Sequence, residues 1–149
     1  MDMYFEKRKH SYYLMDWNTE KRNSPKGMKE KIEVYEGGYF RKFNALHNYI
    51  VQNFAHGIDE CQPIGLSEED IQKVLGVLEE VDTNQQVADQ LLPTASGFFF
   101  GGTQYDDWYF EEVKNAIIMF KDLLLFLNTK PRNRKGVYAH HSVVYQASW

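Results

Sequence analysis

The clearest periodicity in the chain lies at residues 67–81. Ile71, Val74, Leu75, Leu78 and Val81 recur at spacings of three and four, which puts them on one stripe of a helix. Ser67 followed by Asp70 is the capping-box pattern, and Leu66 and Ile71 are placed to act as a hydrophobic staple. Glu68, Glu69 and Asp70 oppose the positive end of that helix. A short helix through Val87 and Leu91 should stop at Pro93. A longer stripe of Val113, Ala116, Ile117, Phe120, Leu124 and Leu127 follows a Thr103–Asp106 capping pattern and predicts a long helix ending near Leu127. Just before it, Phe98, Phe99 and Phe100 lie between glycines. An unbroken apolar triplet buries both of its faces, so it predicts a core segment, and Gly101 and Gly102 predict a sharp turn.

The ends of the chain have a different period. Met3 and Phe5 alternate with Tyr4 and Glu6, and Ile32 and Val34 alternate with charges over residues 29–35. Both read as strands, the second with one wet face and ended by Gly37-Gly38. A first helix is predicted from about Tyr39 to Ala55. Phe40, Phe43, His47, Ile50 and Phe54 form its stripe, Leu46 lies at the edge and Gly57 caps it. Residues 16–27, 57–65 and 128–136 read as loops, the last a basic turn, and residues 137–149 as a terminal strand rich in β-branched and aromatic residues. The sum is one α+β domain, residues 1–149: a small antiparallel sheet made by the N- and C-terminal segments, packed on about four helices.

Charge adds a second pattern. The chain of 149 residues has a net charge of −4, but residues 1–42 carry ten Lys/Arg against seven Asp/Glu, a net of +3. Residues 43–127 carry three Lys against fourteen Asp/Glu, a net of −11, and residues 128–149 carry four Lys/Arg and no acid. Glu68, Glu69, Glu79, Glu80, Asp82, Glu111 and Glu112 fall outside the apolar stripes, so they should form a solvated acidic face. Such a face attracts a basic partner. Aromatic content is high, at 15%, which suits a core or an adhesive surface. The N-terminus lacks a signal-peptide pattern, no apolar run is long enough for a membrane span, and the single cysteine, Cys61, excludes an intrachain disulfide. These features predict a cytosolic protein.

Motif chemistry is sparse. Phosphate-loop, dinucleotide-binding, nucleophile-elbow and zincin patterns are all missing. His140 and His141 are adjacent on a strand and point to opposite faces. His47, His56, Asp59 and Cys61 are close in sequence but match no standard zinc spacing, so no metal and no cofactor are expected. The candidate polar pocket comprises Arg41, Asn44, His47, Asp59, Cys61, Tyr105 and Asp106. Its alternative reading is capping and buried hydrogen bonding, and a Cys61 nucleophile with His47 as base is a further possibility.

Several segments together resemble a family of small uncharacterised proteins of phage and prophage genomes. They are Asp2-Met3-Tyr4-Phe5, the helix Phe40-Arg41-Lys42-Phe43-Asn44-Ala45-Leu46-His47-Asn48-Tyr49, the loop Asp59-Glu60-Cys61, residues 92–106 with Gly-Phe-Phe-Phe-Gly and Tyr105-Asp106, and the ending Tyr145-Gln146-Ala147-Ser148-Trp149. The chain departs from the family in lacking the opening Gly-Leu, in having Phe40 and Tyr49 where tryptophan is common, and in having Ala147 for serine. The resemblance implies a complete domain acting in the cytoplasm of a bacterial host, and no reaction. The leading expectation is a non-enzymatic inhibitor of a host factor, such as a CRISPR-Cas effector, whose basic nucleic-acid channel would meet the acidic middle. The alternatives are a small-ligand or nucleotide-binding protein or hydrolase built on the pocket, and a phage structural part. Neither membrane nor direct nucleic-acid binding is expected, and a homodimer stays open.

Overall fold

The computed structural model describes residues 1–14, 28–97, 100–132 and 137–149. The predicted loop at 16–27, Phe98, Phe99 and the end of the basic turn lie outside them. In chain order the elements are strand β1 (Asp2–Leu14), strand β2 (Met28–Arg41), helix α1 (Asn44–Phe54), strand β3 (Ile64–Leu66), helix α2 (Glu68–Thr83), a 3₁₀ turn (Gln85–Val87), helix α3 (Ala88–Leu91), helix α4 (Asp107–Asn128) and strand β4 (Val137–Ser148). The strands form one antiparallel sheet in the order β2-β1-β4-β3. The two terminal strands pair along almost their whole length, from Asp2 opposite Ser148 to Tyr13 opposite Val137, so the α+β architecture is the one the patterning predicts.

Alternation along the central strands divides the sheet into two faces. Met3 and Phe5 of β1, Phe40 of β2, and Val143, Tyr145 and Ala147 of β4 are buried under the helices. Phe5 is the hub of this layer. Its ring lies 4.7 Å from Tyr145, 5.4 Å from Phe120 of α4 and 6.2 Å from Phe40, at tilted or edge-on angles that favour aromatic pairs. On the opposite face Tyr4 and Tyr39 meet at 5.3 Å, and Ile32, Val34 and Tyr138 stand exposed.

Helix α2 forms as its sequence predicts. Ser67 Oγ accepts from the Asp70 N–H at 3.1 Å, Asp70 Oδ2 accepts from the Ser67 N–H at 3.0 Å, and all five residues of the apolar stripe are buried. Asn128, its amide nitrogen turned toward the carboxylate, donates to Glu68. The end of α4 therefore meets the start of α2, and these two packed helices run antiparallel.

Four predictions need correction. Residues 39–41 belong to β2, with Phe40 opposite Met3, and the helix begins only at Asn44. The Gly37-Gly38 pair does not end the strand but sits at a β-bulge, where the register shifts between Phe5 and Glu6. A Cβ on Gly37 would lie 2.9 Å from the Phe5 carbonyl oxygen, and one on Gly38 would lie 2.1 Å from Met119 Sδ. The glycines let α4 settle directly onto the sheet. Second, residues 64–66, read as loop, add an edge strand to β4. Third, Asp106 rather than Thr103 caps α4, accepting from the Tyr109 N–H at 3.0 Å. Fourth, the buried seam of α4 is Tyr109, Val113, Ala116, Met119, Phe120 and Leu123; Ile117, Leu124 and Leu127 sit half-buried at its margin.

Candidate functional site

The first turn of α1 positions Asn44 and the next turn His47, and both are buried. Lys42, with φ of 60°, reverses the chain between β2 and the helix. Asn44 then uses its whole amide on backbone. Its Nδ2 donates to the carbonyls of Phe100 at 3.0 Å and Gly102 at 2.6 Å, and its Oδ1 accepts from the Ala95 N–H at 2.9 Å. Tyr105 acts on the same loop: its hydroxyl accepts from the Thr94 N–H at 3.1 Å, and its ring rests edge-on against Tyr109 at 5.1 Å. Tyr109 in turn donates to the Leu92 carbonyl at 2.7 Å, with its hydroxyl pKa pushed up mainly by burial.

His47 forms the middle of a chain of three polar groups. Its Nε2 lies 2.9 Å from Asp59 Oδ1, and its Nδ1 lies 2.6 Å from the Tyr145 hydroxyl. A carboxylate only accepts, so in the neutral tautomer Nε2–H donates to Asp59 and the Tyr145 O–H donates to Nδ1. Burial, followed by the nearby Asp59 and Cys61, raises the Tyr145 hydroxyl pKa and keeps its proton in place. Phe100 and Trp149 close edge-on over the imidazole at 5.3 and 5.6 Å. Asp59 reaches His47 because the chain turns back at His56 and Gly57, with φ of 54° and 76°, and the Gly57 N–H bonds the Val51 carbonyl at 3.0 Å.

The remaining candidates lie elsewhere. Cys61, at φ 58°, is held by a bond from Gln146 Nε2 to its carbonyl at 2.8 Å. It lines a shallow hollow of about 250 Å³ with Tyr4, Glu6, Val144 and Gln146. Arg41 and Asp106 line a different hollow, of about 400 Å³, with Lys42, Gly101, Gly102 and Trp108. The seven pocket residues are thus divided among a buried polar chain, a loop clamp and two open hollows. The nitrogens of His47 go to Tyr145 and Asp59 rather than to Cys61. Sequence reasoning missed Tyr145 as the partner of His47. The signal available for it was the alternation Val143, Tyr145, Ala147, which places it on the inner face.

The acidic positions lie outward. Glu69, Glu79, Glu80 and Glu111 are exposed, and Glu68, Asp82 and Glu112 are half-exposed. Because α2 and α4 are antiparallel, Glu68 and Glu69 fall at one end of the helix pair. Glu79, Glu80 and Asp82 fall toward the other end, where α4 begins with Glu111 and Glu112 in its first turns. Among the described residues, no helix is long and apolar enough to cross a membrane, and no cluster of three or more His, Cys, Asp or Glu could hold a metal ion.

A separate electrostatic feature lies on the open sheet face. His10 and His140 stack at 4.5 Å with planes 2° apart, and Tyr12 stacks on His140 at 5.7 Å. His10 also bonds Ser142 Oγ at 2.8 Å and faces Glu30 at 3.3 Å. Burial, then the nearby His10, lowers the His140 pKa below its ordinary 6.5, against a smaller opposing pull from Glu30. The unfolded chain therefore takes up this proton at a higher pH than the native one. The stability attached to the neutral ring is complete above about pH 6.5 and is lost as pH falls through the lowered native value. Melting temperature should drop between pH 7 and 5 more in the wild type than in His140→Gln; equal slopes would exclude the stack as a contributor.

No family model, curated protein or solved structure matches the chain.

Proposed function

We propose that this chain is a phage-encoded interaction protein that acts by binding and inhibits a basic, nucleic-acid-handling host factor, such as an effector of a bacterial defence system. The observation that carries the reading is the outward placement of seven acids on two packed antiparallel helices whose apolar stripes face the core. Carboxylates on a rigid helical surface meet a cationic channel without rearrangement, so their charge acts mainly on the rate of encounter. The phage-family resemblance supplies the cellular setting. The internal use of Asn44 and His47 agrees with the reading, because both spend their polar atoms on the fold rather than on an open cleft.

The test begins with capture of the host partner from lysate and its identification. Glu79, Glu80, Glu111 and Glu112 are then reversed to lysine. Exposed charges contribute only about 0–1 kcal/mol each to stability, so the variant should fold and melt close to wild type. Its association with the captured partner should slow by about tenfold or more and lose most of its salt dependence. Identical rates and salt slopes for the two proteins would overturn the acidic-docking reading.

A further inference from the structure

Strand β2 closes one side of the sheet, and among the described residues no strand pairs with its outer edge. Edge strands of this length invite pairing unless something blocks it. The bulge at Gly37 kinks one end, which leaves residues 28–36 as a regular ribbon. Along it, Lys31, Glu33 and Tyr35 share one face, while Ile32 and Val34 share the other. Lys31 Nζ already lies 3.6 Å from Glu33 Oε1, and Lys9 faces Glu33 from β1. Ile32 and Val34 are 46% and 54% exposed, high for β-branched side chains in a strand of an ordered sheet.

We infer that this edge is a self-complementary interface on which a second copy of the chain pairs antiparallel, β2 against β2, about a two-fold axis at Ile32. The sequence sets this register. With Ile32 opposite its own copy, Lys31 faces the copy's Glu33 and Glu33 faces the copy's Lys31. The four charges then alternate in sign around a square, and the two isoleucines meet on the other face. Centring the axis on Glu33 or on Lys31 instead sets like charges directly opposite, which is destabilising. A shift by one residue turns the apolar face against the charged one. An isologous contact of this kind closes on itself, so it yields a dimer with one continuous eight-stranded sheet rather than a fibre. The same charges that would repel an unrelated strand thus select this one. The surface is separate from the acidic helices, so the two readings fail independently.

A charge swap tests it. The wild-type protein, followed by sedimentation equilibrium from micromolar to millimolar concentration, should show a monomer–dimer equilibrium. Lys31→Glu or Glu33→Lys alone turns two attractive cross-strand pairs repulsive and should weaken the dimer by about tenfold or more. The double variant K31E/E33K restores opposite charges across the axis and should return the association to within about threefold of wild type. The Lys31 side chain is 61% exposed and that of Glu33 is 34% exposed, so each variant should keep its circular dichroism spectrum. Glu33→Lys gives up the Tyr35 hydroxyl bond and sets a like charge opposite Lys9, so its melt is measured beside its association to separate loss of stability from loss of the dimer. A wild-type protein that stays monomeric throughout would overturn the inference. So would single variants that associate like wild type, or a double variant no better than the singles.

Discussion

Removing residues 145–149 should unfold the protein or lower its melting temperature by about 10–20 °C, because the cut reaches the middle of the sheet. Strand β4 lies between β1 and β3, so the deletion strips hydrogen bonds from both neighbours, opposite Asp2 to Phe5 and opposite Ile64. Tyr145 is fully buried against Phe5, and losing a buried aromatic side chain alone costs about 3–5 kcal/mol. His47 loses the hydroxyl on its Nδ1, which leaves a buried polar atom without a partner at about 1–3 kcal/mol. Set against a total stability of about 5–15 kcal/mol for a domain, this is most or all of it. A thermal melt followed by circular dichroism decides the matter. A cooperative transition within a few degrees of wild type would mean that the last four residues of β4 are dispensable and that Phe5 finds other cover.

The parts of the fold legible in the sequence are those whose signal is local. Helix α2 carries its cap, its first-turn acids and its stripe within fifteen residues, and all of them appear in the structure. The pairing of β1 with β4 was also legible, though across the whole chain, because Met3 and Phe5 at one end and Val143, Tyr145 and Ala147 at the other each need an apolar layer to cover them. Gly37-Gly38 misled because a glycine pair looks alike whether it ends a strand or forms a bulge. The choice is made by Met119 and Leu123, some eighty residues away, which need the space a Cβ would fill. Phe40 then follows β2 instead of the helix, and Arg41 is carried toward Asp106 and Trp108.

The candidate site divides along the same line. His47 and Asp59 are twelve positions apart, and a helix turn and a short loop bring them within hydrogen-bond distance. The tasks of Asn44 and His47 were not legible, because the partners of Asn44 and the Tyr145 partner of His47 lie about 50 to 100 residues away in sequence, at Ala95, Phe100, Gly102 and Tyr145. The acidic positions needed no such partner. Exclusion from an apolar stripe is enough to put a charge in solvent, and none of the seven is buried.

Asn44→Ala should destabilise the protein by about 2–4 kcal/mol, a large effect for one polar side chain. The amide holds three backbone groups of the segment between α3 and α4: the Ala95 N–H and the Phe100 and Gly102 carbonyls. Each bond is worth about 0.5–1.5 kcal/mol net, and a group left both buried and unpaired costs more. Alanine offers no replacement, and the loop opens if water is to reach the freed groups. Loop opening also uncovers His47, because Phe100 lies edge-on over the imidazole at 5.3 Å. Two measurements on one sample separate the local effect from the global one. Denaturant unfolding should report the loss of stability, and hydrogen exchange should show the Ala95 amide losing protection well before the amides of α2. Asn44→Asp sharpens the test. It keeps an acceptor for Ala95 but aims a carboxylate at two carbonyl oxygens, so it should be no more stable than the alanine variant. An aspartate variant as stable as wild type would mean that the two carbonyls do not need Asn44. The loop would then be held by the Thr94 and Tyr105 bonds alone.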